Sequence, residues 1–373
     1  MDFSFTPDQE ALRDLAKQII GDLSTHERLK VVEKEPAWFD RDLWAALAKA
    51  NLLGVAIPEA HGGSGLGFVE VCLLLEQVGA HVAAVPAWPV LVLGALPLAH
   101  FGSAVQQERW LAGVARGDGF VTAALDEFPA EDPAAPQTTA TRDGSGWRLD
   151  GVKQCVPAAY LAQRILVPAR TGAGVVGVFL VDPAARGVTL ERQEATNREP
   201  LARLTLAGVA AGAGDVLGDP AGGAAIVGWL VERAIVGLCA LETGVVEKAL
   251  RITAQYTVER RQFDRAIASF QAVQQRAADA WIAQESIRLT TWQAAWRLAE
   301  GLPATDEVLI AKVWAAEGGH QAVYAAQHLH GGIGVDVDYP VHRHYLWSRA
   351  IELTLGPGAR RLAELGQRIA SAV

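Results

Sequence analysis

The sequence predicts an α+β fold in three successive parts: an N-terminal α-helical domain, a middle antiparallel β domain and a C-terminal four-helix bundle. Apolar residues recur at helical spacing before residue 118 and again after residue 223, whereas short strand-like segments fill the interval. The chain has 373 residues, of which 50% are hydrophobic, so it can bury more than one core. We therefore predict domains at residues 1–118, 119–222 and 223–373.

The N-terminal part is predicted to be helical from its capping residues and its apolar spacing. Thr6 and Pro7 offer a cap and a first turn, and apolar residues follow at helical spacing: Leu12, Leu15, Ala16 and Ile19. A second helix is predicted over Trp38–Ala50. The apolar run Val82–Ala99 contains three prolines, so we interpret it as a buried loop and short core helix rather than a membrane span.

The middle part contains short segments rich in Val, Leu and Thr, each bounded by Gly, Pro or Asp. Residues of the first kind favour strands, and those of the second kind favour turns. The predicted strands are Trp147–Gly151, Arg164–Pro168, Val175–Asp182, Val188–Glu191 and Leu201–Leu206.

The C-terminal part begins with an apolar stripe that runs from Ile226 to Tyr256, a helix of roughly eight turns. A second stripe runs from Val273 to Leu298. Two further helices are predicted at about 305–327 and 357–370. Four consecutive helices with apolar faces predict a helical bundle.

The composition limits the partners of the chain. Acidic side chains outnumber Lys and Arg by 42 to 33, a formal net charge of −9, which argues against a nucleic-acid partner. The residues that follow Met1, Asp2–Pro7, lack the pattern of a secretory leader. Three widely separated cysteines, Cys72, Cys155 and Cys239, are predicted to be buried thiols. We therefore expect a cytoplasmic protein without a membrane span.

Four histidines of the C-terminal part are close enough in sequence to suggest a metal. They form the pairs His328 and His330, and His342 and His344. Residues two apart cannot share a helix face, and no Cys or carboxylate completes a set at ligand spacing. We expect no metal site.

Two segments of the C-terminal part suggest contacts with an anionic ligand. Arg260 and Gln262 lie in an R-x-Q-F sequence after the long helix, where a guanidinium and a carboxamide can donate to a pyrophosphate. Gly331–Gly334 follows another helix, and its glycines allow backbone N–H groups to approach an anion. Taken alone, the first could be a solvated arginine pair and the second a helix C-cap and turn.

Together with Gly54–Gly63 and Leu149–Lys153, these segments resemble the acyl-CoA dehydrogenase family, in the family's order and over essentially the whole chain. The resemblance implies an FAD enzyme that dehydrogenates an acyl-CoA between its α- and β-carbons and passes electrons to an electron-transfer acceptor. It also implies that FAD is reached from a neighbouring subunit. The residues that match the family's cofactor contacts are Arg260, Gln262, Phe263, Gln271, His328, Gly331 and Gly332.

The sequence departs from the family's pattern at places that matter for catalysis. Leu355 stands at the position of the usual catalytic glutamate. In the middle domain, Ala124–Pro129 replaces a flavin-holding segment, and Lys153–Pro157 lacks the family's stacking tryptophan and flavin-bonding hydroxyl. His328 replaces a glutamine, and Asp264 replaces a glycine. We expect the chain to contact a neighbour's FAD and to hold its own flavin ring poorly.

Two glutamates of the long helix are alternative bases. Glu232 precedes Arg233, as in family members that place the base on this helix. An ungapped count back from Tyr256 puts Ala234 at that position instead, so a helix bulge would be needed to bring Glu232 into register. Glu242 is the second candidate. Each could also be an ordinary solvated or paired helix glutamate.

The segments Asp338–Trp347 and Glu352–Gly356 resemble one branch of the family, the actinobacterial dehydrogenases that act on steroid side-chain CoA esters as heterotetramers. The resemblance implies a role in lipid and steroid catabolism. We predict that the chain is a subunit of an α2β2 enzyme that acts on a bulky acyl-CoA. This subunit would lack its own usual base and would complete the FAD site of its partner. The alternatives are a self-sufficient homotetramer with Glu232 as its base, and a structural partner without nucleotide contact.

Overall fold

The computed structural model describes residues 4–130 and 132–372, so the expected absence of a leader at Met1–Phe3 lies outside the described residues. The described residues form two compact units. The first takes residues up to 30, together with 72–83 and those from 235 onward, and the second takes 31–71 and 84–234. This grouping follows contacts in space. The division of the sequence at residues 118 and 222 stays a prediction.

The N-terminal helices confirm the predicted helical character. A capping box starts the first helix, in which the Thr6 hydroxyl accepts from the Gln9 amide and the Gln9 side chain accepts from the Thr6 amide. The predicted helix at Trp38 begins later, at Arg41, because Trp38 has a left-handed backbone (φ 46°) and Asp40 caps the helix. The helices are α1 (Pro7–Leu23), α2 (His26–Val32), α3 (Arg41–Lys49), α4 (Phe68–Ala80), α5 (Leu96–Phe101) and α6 (Ala104–Arg116).

The apolar run at residues 82–99 forms buried helices. A π-helix covers Trp88–Ala95, and each of its residues is buried. It continues directly into α5. Gly94 lies against the Val121 carbonyl, where a Cβ atom would collide. From residue 84 onward, the run is therefore a core segment of the second unit.

The middle part is a mainly antiparallel sheet, as predicted. Its order is β6-β7-β3-β2-β4-β5-β8, and β1 pairs with β4; the pairs β1–β4 and β2–β4 are parallel. All five predicted strands are present, within β3 to β7. The described strands are β1 (Val121–Ala123), β2 (Thr139–Asp143), β3 (Gly146–Pro157), β4 (Arg164–Gly172), β5 (Val175–Val181), β6 (Val188–Glu194), β7 (Pro200–Ala211) and β8 (Val216–Leu217).

The C-terminal part is helical, with a short hairpin after its first helix. The helix predicted at 305–327 is present but contains a π-helical turn, Trp314–Gly318. The sequence did not predict α11. The elements are α7 (Gly223–Glu259), β9 (Arg261–Gln262), β10 (Arg265–Ala266), α8 (Gln271–Ala299), α9 (Thr305–Val313), α10 (Gly319–His330), α11 (Val341–Leu353) and α12 (Gly358–Ala372).

Within the first unit, α4 and α7 touch backbone to backbone. A Cβ atom at Gly79 would collide with the Leu241 carbonyl, and one at Gly244 would collide with the Glu76 carbonyl. By length and composition alone, α7 could cross a membrane, but 61% of its most apolar window is buried inside the fold. We interpret α7 as the central core helix of the bundle.

Candidate cofactor site and active-site region

In the first unit, the end of α7, the start of α8 and the end of α10 meet. The rings of Tyr256 and His330 stack with centroids 4.5 Å apart, and the Tyr256 hydroxyl donates to the His330 carbonyl at 3.4 Å. Arg276 of α8 lies 2.6 Å from His328, measured from Nη1 to Nδ1. The two motifs predicted to contact a nucleotide are therefore neighbours in space.

The first motif forms a tight hairpin. Arg265 pairs with Gln262, and the two residues between them, Phe263 and Asp264, have φ values of 53° and 62°. Positive φ at both central positions is the geometry of a type I′ turn. The turn leaves the Phe263 side chain 86% exposed, at 6.2 Å from the ring of Phe270.

The second motif gives an open backbone surface. Gly331 has φ 64° and ψ −140°, a conformation that is nearly restricted to glycine. In the described part of the chain, no heavy atom lies within 4 Å of a Cβ built on Gly331 or Gly332. A ligand can therefore approach this backbone closely.

All seven predicted cofactor contacts lie on the surface. They are Arg260, Gln262, Phe263, Gln271, His328, Gly331 and Gly332, and each is exposed. Gln271 begins α8, and Phe270 is the N-cap residue of this helix. Within residues 4–130 and 132–372, no side-chain hydrogen bond caps the start of α8. Uncapped N–H groups at a helix start attract phosphate oxygens. The exposed donors of this set are of the kind that the adenosine diphosphate portion of a dinucleotide needs, and their role stays a prediction.

The second unit has an ion pair in the segment that differs from the family. Glu127 Oε1 and Lys153 Nζ are 2.5 Å apart, and both side chains are buried. The Glu127 carboxylate also accepts from the backbone amides of Gln137 and Thr138. Burial acts to raise the pKa of Glu127, but the Lys153 charge and these hydrogen bonds outweigh it and lower the pKa. Glu127 is therefore ionised, and its carboxylate is already bound by Lys153 and by the two backbone amides.

The neighbouring strand does not fit a flavin ring. Cys155 has a left-handed backbone (φ 51°) and is exposed, which corrects the prediction that all three cysteines are buried; Cys72 and Cys239 are buried. Its amide donates to the Gln193 side chain at 2.9 Å, beside a register shift in β3 that turns the thiol outward. Pro157 has no N–H to donate. The stretch offers neither a stacking ring nor a hydroxyl.

The same unit contains an apolar cleft of about 340 Å³, lined by Trp38, Val85 and Leu161 among others. Glu199 also lines it, and burial raises the pKa of this carboxyl to about 7. Glu199 belongs to none of the sequence motifs above, so no pattern in the sequence marked it.

Leu355 offers no catalytic group at the usual glutamate position. Its side chain is 4% exposed and its backbone is left-handed (φ 55°). Its carbonyl accepts from the Arg361 guanidinium, with Nε at 3.1 Å. The residue is therefore apolar, buried and fixed.

The two alternative bases lie in different environments. Glu232 is half-buried, and its neighbour Arg233 stacks on Trp229 at 3.8 Å. The helix α7 is α-helical throughout, so no bulge within Gly223–Glu259 shifts the register of Glu232. Glu242 is fully buried, with its Oε1 accepting from Ser348 at 2.6 Å. Burial raises the pKa of Glu242 to about 8. Neither arrangement identifies a base, and Glu232 stays a prediction.

Among residues 4–130 and 132–372, no group of three or more His, Cys, Asp or Glu side chains is placed to hold a metal ion. The four histidines have other contacts. The Nδ1 of His330 donates to the Ala326 carbonyl at 2.7 Å, and the Nδ1 of His342 donates to the Tyr339 carbonyl at 2.6 Å. These contacts fix the ends of α10 and α11.

The order of a helical part, a mainly antiparallel sheet and a second helical part is that of the acyl-CoA dehydrogenase fold. The N-terminal domain of acyl-CoA dehydrogenases matches residues 6–118, and the C-terminal domain matches residues 222–370. The chain belongs to the acyl-CoA dehydrogenase family. This confirms the predicted fold, FAD as the cofactor and the class of oxidoreductases that act on CH–CH bonds.

Several relatives cover the whole chain. Acyl-CoA dehydrogenase FadE27 of Mycobacterium tuberculosis is 38% identical over 378 residues, which is 99% of both chains. A solved variant of the Tcur3481–Tcur3483 steroid ACAD has 46% identity and a TM-score of 0.91, covering 98% of each chain. The ChsE4–ChsE5 complex from M. tuberculosis contains a chain with 38% identity and a TM-score of 0.93, covering 99% of each.

Proposed function

We propose that this chain is one subunit of a heteromeric acyl-CoA dehydrogenase, and that a second, acyl-CoA dehydrogenase-like subunit supplies the glutamate base and the flavin-ring pocket. The observation that carries the proposal is the contrast between its two half-sites. The exposed cluster around Arg260, His328 and Gly331 suits a nucleotide. In contrast, Leu355 and Pro157 lack the groups that catalysis and ring binding need.

The names of similar structures support the heteromer and the substrate. One solved relative is described as the ChsE4–ChsE5 complex, and another has the paired name Tcur3481–Tcur3483 and is described as a steroid ACAD. We infer that the assembly is an α2β2 enzyme for a bulky acyl-CoA, with a steroid side-chain thioester as the leading candidate. When bound, FAD would supply the acceptor for the hydride that leaves the β-carbon.

The proposed setting follows the same reasoning. A structure described as an electron transferring flavoprotein contains a chain that is 26% identical to this one with a TM-score of 0.91, which supports an electron-transfer flavoprotein as the acceptor. We propose the cytoplasm as the location, because the three cysteines are free thiols, as in reducing compartments.

The amount of FAD per chain tests the proposal. The chain expressed alone should be colourless, whereas co-expression with the acyl-CoA dehydrogenase-like product of a neighbouring gene should give a yellow complex. Activity on a steroid side-chain acyl-CoA should appear only in the complex. A yellow, active homotetramer of the chain alone would instead support Glu232 as the base.

Two variants separate nucleotide binding from a purely structural role. Arg260→Ala should reduce FAD loading of the complex about tenfold or more, since a charge-assisted contact to pyrophosphate is lost. Arg251→Ala is the matched control, because Arg251 is an exposed arginine of α7 that pairs with Glu247. Equal FAD loading in both variants would favour a structural subunit.

A further inference from the structure

The contact between Arg276 and His328 links the start of α8 to the end of α10. The Arg276 Nη1 and the His328 Nδ1 are 2.6 Å apart, which is a short hydrogen bond. Arg276 is half-buried, whereas His328 is exposed. The Arg276 guanidinium also lies 5.7 Å from the ring centre of Tyr324, one helical turn before His328.

This contact determines which ring nitrogen of His328 holds the proton. A guanidinium has only donors, so Nδ1 must present its lone pair to Arg276. The proton of the neutral ring is then on Nε2, which becomes a hydrogen-bond donor directed away from Arg276. Without Arg276, the ring could exchange tautomers and rotate, and the donor would not be fixed.

His328 lies where the exposed cofactor contacts converge. Gly331 and Gly332 follow it directly after the end of α10, and their backbone is open to a ligand. Gln271 begins the helix that contains Arg276. A donor at His328 Nε2 and a positive charge at Arg276 both suit a phosphate or adenine acceptor at this place.

We propose that Arg276 is a positioning residue of the FAD site: it holds His328 as a neutral Nε2–H donor and adds a positive charge beside the adenosine diphosphate portion. The family's usual residue at position 328 is glutamine, whose carboxamide always offers an N–H donor. We infer that the pair of Arg276 and His328 replaces this donor. This inference rests on the proposed function and concerns a residue outside the seven predicted contacts.

A double-mutant cycle in the co-expressed complex tests the pair. FAD is removed, and its dissociation constant is measured by fluorescence titration for Arg276→Met, His328→Gln and the double variant. We expect Arg276→Met to weaken FAD binding about tenfold, and His328→Gln to retain binding. In the His328→Gln background, Arg276→Met should cost about threefold, since glutamine needs no orientation and only the contribution of the positive charge is then lost. The same loss in both backgrounds would show that Arg276 acts only through its charge.

Arg349→Met is the matched control. Arg349 of α11 makes the same kind of contact, with its Nη1 2.8 Å from the Nδ1 of His320. His320 lies on α10, the helix of His328, about 12 Å away along the axis. Its loss should leave FAD affinity unchanged. The unfolding temperature of each FAD-free complex shows whether a variant is misfolded. If the wild-type complex binds no FAD, the proposed function fails; if it binds FAD and Arg276→Met binds equally well, only the inference fails.

Discussion

Glu242 places a carboxyl group in the packed interior of the first unit. Gly319 makes the room, since a Cβ atom there would collide with Glu242 Oε1. Ser348 donates to the carboxyl, and Lys312, also fully buried, donates to the Ile351 carbonyl at 2.5 Å. Burial raises the pKa of Glu242 to about 8 and lowers that of Lys312 to about 8. Glu242 is thus mainly neutral at pH 7.

This raised pKa gives stability a definite pH dependence. The carboxyl of the unfolded chain ionises near pH 4.5, but the folded one keeps its proton up to about pH 8. Stability from Glu242 is therefore present below pH 4.5 and is lost as the pH rises from 4.5 to 8. The pKa of Lys312 is about 8 in the folded chain, against an ordinary value of 10.5. Its contribution to stability therefore changes only above pH 8.

We expect Glu242→Gln to stabilise the protein at pH 7.5 by about 1–3 kcal/mol and to have little effect at pH 4.5. Urea unfolding at several pH values measures the difference. Glu10→Gln, at an exposed position of α1, is the control and should change little at any pH. A stabilisation that is largest in acid would contradict the prediction.

At the scale of elements, glycines set the distance between α4 and α7. Gly244→Ala should destabilise the protein by about 1–3 kcal/mol, because its Cβ would meet the Glu76 carbonyl and neither backbone can withdraw without repacking. Thermal unfolding of the purified chain measures the loss.

Gly228 provides the control on the same helix. In the described part of the chain, no heavy atom lies within 4 Å of a Cβ at Gly228. Gly228→Ala should therefore stabilise α7 by about 0.5–1 kcal/mol, through the higher helix propensity of alanine. Equal effects of the two substitutions would mean that the close approach does not limit packing.

The elements also show what the sequence could predict. The long helices and the five main strands follow from apolar periodicity, because their buried faces are apolar. In α11, by contrast, the buried face includes the polar residues Arg343, His344 and Ser348. The sequence of α11 therefore lacks the continuous apolar stripe by which a helix is predicted. The strand β2 is mostly exposed, and β8 has only two residues.

The site was predictable only where a motif marks it. Residues such as Arg260 and Gly331 match known family positions, and the structure brings their motifs together. The contact of Arg276 with His328 joins residues that are 52 positions apart, and the Glu242–Ser348 contact joins residues 106 apart. Such pairs depend on helix packing, which periodicity does not specify.

At the scale of the whole molecule, several large apolar side chains are exposed on the surface of the chain. The helix α8 exposes Trp281, Ile282, Leu289 and Trp296, and Phe263 is almost fully exposed. Residues of these types are common in the buried parts of subunit interfaces. The predicted nucleotide contacts and this apolar surface both belong to the first unit.

We expect the chain to unfold at a higher temperature in the complex with its partner than alone, since binding to the folded state stabilises it. The unfolding temperature of the complex should also rise with protein concentration. Calorimetry of the chain alone, the complex and a mixture with a non-cognate acyl-CoA dehydrogenase subunit makes the comparison. An identical transition in all three samples would argue against a heteromer.

The backbone around Leu355 has an evolutionary consequence. A glutamate restored there by one substitution would start from a left-handed, nearly solvent-free position whose carbonyl is held by Arg361. Its carboxylate would be desolvated and would resist ionisation, so it would be a poor proton acceptor at first. At this position, the family's usual residue therefore cannot be restored simply by exchanging Leu355 for glutamate, and the surrounding contacts would have to change as well.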